Sequence, residues 1–165
     1  MQIFSDKTSG DSTDENVYVT FEINREIYGI NVLTVQEIIG MIHITPVPCS
    51  LNYLKGVINL RGRVVPVFDM RIMFRLPEKE YDSATVIIII ETNEKPVGLI
   101  VDAVLDVVDI PVELSHEYSH SDGKFKSDYI SSIANYNDDL ILILNIESLV
   151  DESAFENIPE PVGES

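Results

Sequence analysis

The sequence predicts a mainly β protein built as two similar small barrels lying side by side. Three observations lead there: short apolar runs separated by turn residues, a scarcity of helical signals, and an internal repeat. The runs cover residues 17–23, 27–31, 56–60, 63–68, 85–91, 97–101, 131–135 and 140–145, a spacing that suits hairpins rather than the strand and helix alternation of a parallel sheet.

In chain order, residues 17–23 and 27–31 form a first hairpin, and a connector through Val35, Glu37 and Ile38 leads on. A short helix is expected over residues 50–54. Residues 56–60 and 63–68 make a second hairpin that turns at Arg61-Gly62, where glycine supplies the backbone freedom of a tight reversal. Arg61 is thereby presented at a bend, either solvated or paired bidentately with a carboxylate of the protein or of a partner. A helix over residues 70–74 follows Asp69, whose side chain can cap the first-turn amides. The pattern then begins again. Residues 85–91 and 97–101 form the third hairpin and 131–135 and 140–145 the fourth, with a helix over residues 146–150 capped by Asn145.

A shift of 69 residues lays Glu22 on Glu91, Asn24 on Asn93, Gly29 on Gly98, Val32 on Val101 and Val35 on Val104, with Glu37 over Asp106. After seven extra residues, a shift of 76 lays Asn59 on Asn135, Val67 on Ile143, Asp69 on Asn145 and Met70 on Ile146. Each half reads as hairpin, connector, hairpin, short helix. We therefore expect a first barrel near residues 16–75 and a second near 84–150, with terminal segments able to cross between them. Residues 1–15 and 153–165, polar and acidic with little to bury, are expected to be flexible ends around a domain at 16–152.

Composition excludes several roles. Of 165 residues 45% are hydrophobic, enough for real cores, while 11 Lys and Arg against 28 Asp and Glu leave a formal charge of -17. A surface this acidic repels nucleic-acid phosphates and anionic lipid, so neither nucleic acid nor direct membrane insertion is expected. The single cysteine, Cys49, allows no intrachain disulfide, and the absence of a basic, apolar leader points to the cytoplasm.

No constellation organised for catalysis stands out, and neither an enzymatic activity nor a cofactor is expected. His116-Glu117-Tyr118-Ser119-His120 has the spacing of zinc peptidases, which hold both histidines on one helical face. Pro111 before it, Asp122-Gly123 after it and its place in the seven-residue insertion argue for a loop, so no metal site is expected. Cys49 follows the extended segment Thr45-Pro46-Val47-Pro48 and reads as a packing residue. An apolar chain without catalytic grouping suits protein binding, through a groove between the two halves or at a sheet edge. Val35 and Val107 lie on corresponding elements and either line such a groove or belong to the core. Glu37 and Arg61 are the opposite charges placed to bracket it.

At these residues the chain resembles the CheW family of bacterial chemotaxis coupling proteins. The resemblance is carried by Tyr28-Gly29-Ile30, Val35-Gln36-Glu37-Ile38, Lys55-Gly56-Val57, Asn59-Leu60-Arg61-Gly62, Val65-Pro66-Val67-Phe68-Asp69-Met70-Arg71 and Val97-Gly98-Leu99-Ile100-Val101-Asp102, in order from about residue 17 to 150. It implies two five-stranded β-barrels around a hydrophobic core, and a non-catalytic adaptor coupling the regulatory domain of the histidine kinase CheA to the cytoplasmic tips of chemoreceptors, recruited to receptor arrays. It further implies receptor binding at Val35, Glu37, Arg61, Gly98 and Val107, with Glu37 and Arg61 a pair that restrains relative movement of the parts. Kinase contact falls on the first barrel, where Thr45, Pro46, Val47, Pro48 and Gly56 are the candidates. Related couplers serve pilus or gliding motility, and a scaffold of that kind is the alternative to chemotaxis. A zinc peptidase through His116, Glu117 and His120 is the remote one. Residue 165 follows soon after the second barrel, so a stand-alone coupler is expected.

Overall fold

The computed structural model describes residues 14–48, 51–92, 94–117 and 129–150. Cys49, His120 and nearly all of the expected flexible ends lie outside the described residues; Asp14 and Glu15 begin a 3-10 turn whose carbonyls accept from the Asn31 side-chain amide. The strands are β1 (Val17–Ile23), β2 (Glu26–Asn31), β3 (Val35–Gly40), β4 (Leu54–Leu60), β5 (Arg63–Asp69), β6 (Val86–Thr92), β7 (Lys95–Val101), β8 (Ala103–Asp109), β9 (Ser115–Glu117), β10 (Ile130–Tyr136) and β11 (Asp139–Leu144). Helix α1 (Met70–Met73) follows β5 and helix α2 (Ile146–Leu149) follows β11.

The repeat is realised strand for strand. Strands β1, β2 and β3 recur 69 residues later as β6, β7 and β8, while β4, β5 and α1 recur 76 residues later as β10, β11 and α2. Even the irregularities recur: the β1–β8 ladder skips Leu105 and the β3–β6 ladder skips its counterpart Gln36. Asp69 caps α1 by accepting from the Arg71 and Ile72 amides, and Asn145 caps α2 by accepting from those of Glu147 and Ser148. Three hairpins turn through paired positive-φ residues, Asn24-Arg25, Arg61-Gly62 and Asn137-Asp138, the geometry that matches strand twist.

The expected pair of side-by-side barrels is present, with a different assignment of strands. One sheet runs β8-β1-β2-β11-β10-β9 and the other β3-β6-β7-β5-β4. The first hairpin of each half has changed places: β1–β2 sits among strands of the second half, and β6–β7 among strands of the first. Division at residues 16–75 and 84–150 therefore does not describe the sheets, which we call the terminal barrel (β1, β2, β8 to β11) and the inner barrel (β3 to β7). The exchange is sealed by two parallel ladders, Gly29 opposite Ile143 and Gly98 opposite Val67.

Two local expectations are corrected. The connectors at 35–40 and 103–109 are strands, hidden in the sequence because each bulge breaks the period-two alternation. Residues 51–53, expected to be helical, form a turn that delivers the chain to β4.

Burial explains the arrangement. A central core draws Val19, Phe21, Tyr28 and Ile30 from the terminal barrel and Phe68, Phe74, Ile88 and Leu99 from the inner barrel and its helix. Each barrel adds a smaller core, Ile58, Val65, Val67, Ile87 and Ile89 in one and Ile110, Ala134, Ile141 and Ile143 in the other. The central strands β6 and β7 are thus apolar on both faces along most of their length; β7 is buried from Pro96 onward.

Candidate functional site

Strands β3 and β8 are repeat mates, each lies at the edge of its own sheet, and between them runs an apolar groove of about 700 Å³. Ile38 and Ile39 line it from β3, Val86 from β6, and Val104, Leu105 and Val107 from β8. Leu105, which the β1–β8 ladder skips, is 47% exposed. A groove of this chemistry accepts an apolar stripe, and nothing in it is arranged to make or break a covalent bond.

Val107 packs against the central core and also lines the groove. Val35 does not join it: it is 7% exposed, opposes Ile90 on β6 and packs in the central core, while its true mate Val104 takes the place in the groove. Gly98 lies inside the inner barrel, where a Cβ would come within 2.8 Å of Ile87 Cγ2 and 3.3 Å of Val67 Cγ2. It shapes the sheet and touches no surface.

Glu37 and Arg61 do meet. The Arg61 Nη2 donates to Glu37 Oε2, joining edge strand β3 to the β4–β5 turn at the opposite edge of the same sheet. The pair closes the seam of the inner barrel. Both residues belong to that barrel, so the parts the pair joins directly are its two edge strands. The repeat mates in the terminal barrel are Asp106 and Asn137, where Asp106 accepts from the Val107 amide.

The five candidates for kinase contact lie in one region, a segment at 45–48 and the strand beneath its start. Thr45 exchanges two 2.8 Å backbone bonds with Val57, which stitches the segment at 45–48 onto β4. Gly56 lies beneath at φ +150°, and a Cβ there would collide with the Thr45 carbonyl. Thr45, Pro46 and Pro48 are exposed, while Val47 packs against the central core.

A second polar constellation carries no signal in local sequence. Arg71 on α1 donates from Nε to Asp102 Oδ1 at 3.0 Å and from Nη2 to Asp102 Oδ2 at 2.9 Å, and from Nη1 to the Pro77 carbonyl at 2.6 Å. Asp102 Oδ2 also accepts from the Asn24 amide at 2.9 Å. Burial alone would raise the Asp102 carboxyl, but the Arg71 fork and the Asn24 amide outweigh it and hold it below the usual carboxylate range. Nearby, Tyr81 donates to buried Asp69 at 2.8 Å; burial first, then that bond, pushes its hydroxyl up.

His116 and Glu117 lie on β9, paired with Ile133 and Ser132 of β10, where neighbouring side chains point to opposite faces. The helical turn that the zinc spacing requires is absent there. Among the described residues no three His, Cys, Asp or Glu side chains are grouped to hold a metal.

The comparisons agree with this geometry. A family model described as the CheW-like domain matches residues 17–154. The chain is 37% identical over 145 residues to the chemotaxis protein CheW of Bacillus subtilis, covering 86% of this chain and 92% of that one. It is 30% identical over 144 residues to CheW of Klebsiella aerogenes, covering 87% and 86%. Its fold is similar to the crystal structure of the scaffolding protein TtCheW from Thermoanaerobacter tengcongensis, with a TM-score of 0.74, 29% identity, and coverage of 79% of this chain and 89% of that chain.

Proposed function

The chain belongs to the CheW-like domain family and is an adaptor of chemotaxis signalling, and on that footing we propose that it joins a CheA-type histidine kinase to the cytoplasmic tips of chemoreceptors. The carrying observation is the apolar groove between β3 and β8. A receptor tip is a helical hairpin, and an apolar helical stripe laid against Ile38, Ile39, Val104, Leu105 and Val107 would bury surface that the free protein leaves in water. The regulatory domain of the kinase docks on the inner barrel at the face built by Thr45, Pro46, Val47, Pro48 and Gly56, where the stitched segment offers a fixed surface. The working unit is the domain at 16–152, it acts in the cytoplasm at receptor arrays, and it performs no chemistry itself.

In this reading the Glu37 and Arg61 pair keeps the inner barrel closed while partners occupy two of its sides, and Gly98 sets the sheet spacing behind the groove. Signalling is a shift of population: a receptor that favours one arrangement of adaptor and kinase biases kinase activity by that difference in affinity and no more. The test is co-sedimentation of the purified protein with receptor-tip-bearing membranes and a CheA-type kinase, with autophosphorylation followed in parallel. Three-way co-sedimentation with receptor-dependent kinase control is expected. Binding to neither partner would overturn the proposal, as would unchanged receptor binding by Val107→Asp, which places a carboxylate in the groove.

A further inference from the structure

Asp102 is the one residue between β7 and β8, and those strands belong to different barrels. The chain thus crosses from inner to terminal barrel at this point, with no linker to absorb motion. Its side chain is held from both directions, by Arg71 on the helix that ends the inner barrel's β5 and by the Asn24 amide in the β1–β2 turn of the terminal barrel. Its own amide donates to the Glu22 carbonyl of β1 at 3.0 Å. Arg71 and Asp102 are 14% and 16% exposed, so the fork is shielded and geometrically defined in a way that a surface pair is not.

The other crossing is built differently. Between β2 and β3 the chain makes a 3-10 turn, Val32–Thr34, with Val32 buried and Asn31 Oδ1 accepting from the Leu33 amide at 2.9 Å. The repeat mate of Asp102 is Leu33, and that of Arg71 is Glu147. A crossing between barrels therefore does not require an ion pair, and its presence at Asp102 calls for another account. Location supplies one. Ala103, the next residue, and Ala84 line the groove on one side and the polar pocket holding Arg71 and Asp102 on the other. The clamp stands directly behind the groove.

Building on the partner-binding role of the groove, we propose that Arg71 and Asp102 are positioning residues that fix the angle between the barrels, and with it the spacing of β3 and β8 that a helical partner must fit. The seam pair Glu37 and Arg61 cannot do this, since both lie in one barrel. The clamp contributes no contact to the partner. It raises the fraction of molecules whose groove already has the bound spacing, and apparent affinity scales with that fraction.

The test uses the full chain with Cys49→Ser and spin labels at Arg63→Cys and Asp139→Cys, repeat mates that open β5 and β11 in the two barrels and lie outside both groove and clamp. Inter-barrel distance distributions are compared for the labelled parent, Asp102→Asn, Asp102→Glu and Arg71→Lys, alongside binding of a soluble chemoreceptor cytoplasmic fragment and of the kinase regulatory domain. Asp102→Asn and Arg71→Lys are expected to broaden the distribution and to weaken the receptor fragment three- to tenfold. Asp102→Glu is expected to restore both in part, and kinase-domain affinity, which uses the inner barrel alone, to stay within twofold. Thermal melts and far-ultraviolet spectra accompany each variant; Arg71→Lys keeps the charge and so stands in should Asp102→Asn fail to fold. An unchanged distribution in the folded variants overturns the inference, and so does an equal loss of both partners. A parent protein that fails to bind the receptor fragment would count against the proposed function, while the distance data would still decide whether the clamp sets the angle.

Discussion

Gly98 and Gly29 are repeat mates in parallel ladders, and their surroundings predict different tolerances for the same added methyl. A Cβ at Gly98 would meet Ile87 Cγ2 at 2.8 Å, Val67 Cγ2 at 3.3 Å and Ile89 Cδ1 at 3.5 Å, all in the small core of the inner barrel. At Gly29 the nearest atoms are Ile143 Cδ1 at 3.2 Å and Ile141 Cγ2 at 3.3 Å. The Gly98 neighbour is a branch methyl held close to the backbone of β6, while the closest Gly29 neighbour is the tip of an isoleucine that can rotate. Neither glycine has positive φ, so alanine restricts the unfolded chain and contributes about 0.4–1 kcal/mol of stability at both sites. Against this, overpacking a filled core costs about 1–3 kcal/mol. We expect Gly98→Ala to lose about 1–2 kcal/mol net, a fall in Tm of roughly 2–8 °C for a chain of this size. Gly29→Ala is expected to fall within about 1 kcal/mol of wild type. Urea denaturation followed by circular dichroism measures both. A Gly98→Ala protein as stable as wild type, or a Gly29→Ala protein that loses more, would refute the reasoning. Gly98→Asp adds an unpaired carboxylate to the same space and should abolish folding rather than selectively remove a partner.

Arg61→Ala removes an exposed seam contact and should change stability by no more than about 1 kcal/mol while weakening receptor coupling; wild-type kinase control by the folded variant would exclude Arg61 from the site. Gly56→Ala should detach the segment at 45–48 from β4 and reduce kinase-domain binding more than receptor binding, which titration calorimetry with each partner separates. Asp102 predicts an acid sensitivity. Its folded carboxyl titrates below its unfolded one, so its contribution to stability is present above about pH 4 and is lost as pH falls through the folded value. Glu22, Arg25, Arg71 and Lys79 share its pocket, and the stability gap between wild type and Asp102→Asn should narrow below about pH 4. A gap unchanged from pH 7 to pH 3 would contradict the assigned pair.

The repeat was legible because its determinants are local. Alternating valine and isoleucine marks a strand wherever it occurs, and Asp69 and Asn145 announce helix starts by a side chain reaching two and three residues ahead. The exchange of hairpins left no such trace. Ladder bonds are made by backbone groups common to all residues, so residues 17–23 carry no mark of whether their neighbour is β8 or β3. The bulges at Gln36 and Leu105 removed the alternation that would have revealed both edge strands, and with them the walls of the groove. At the site, Glu37 and Arg61 were legible as opposite charges placed to bracket a groove, while their pairing and the candidate segment at 45–48 came through resemblance to a family. Arg71 and Asp102 stood inside recognisable motifs yet could not be paired, since no spacing rule joins charges that meet only across a completed fold.

The exchanged hairpins also set a timetable for synthesis. The inner barrel spans residues 35–101 and can close as soon as β7 leaves the ribosome, whereas β1 and β2 are made first and must wait for β8 and β11. At roughly 5–20 residues per second, the interval between Gly29 and its partner Ile143 lasts about 6–23 s. Throughout it an apolar hairpin has two unfilled edges in a crowded cell, and chaperone capture or pairing with a neighbouring nascent chain competes with the proper closure. The strands that complete the protein last therefore govern how much of it survives its own production.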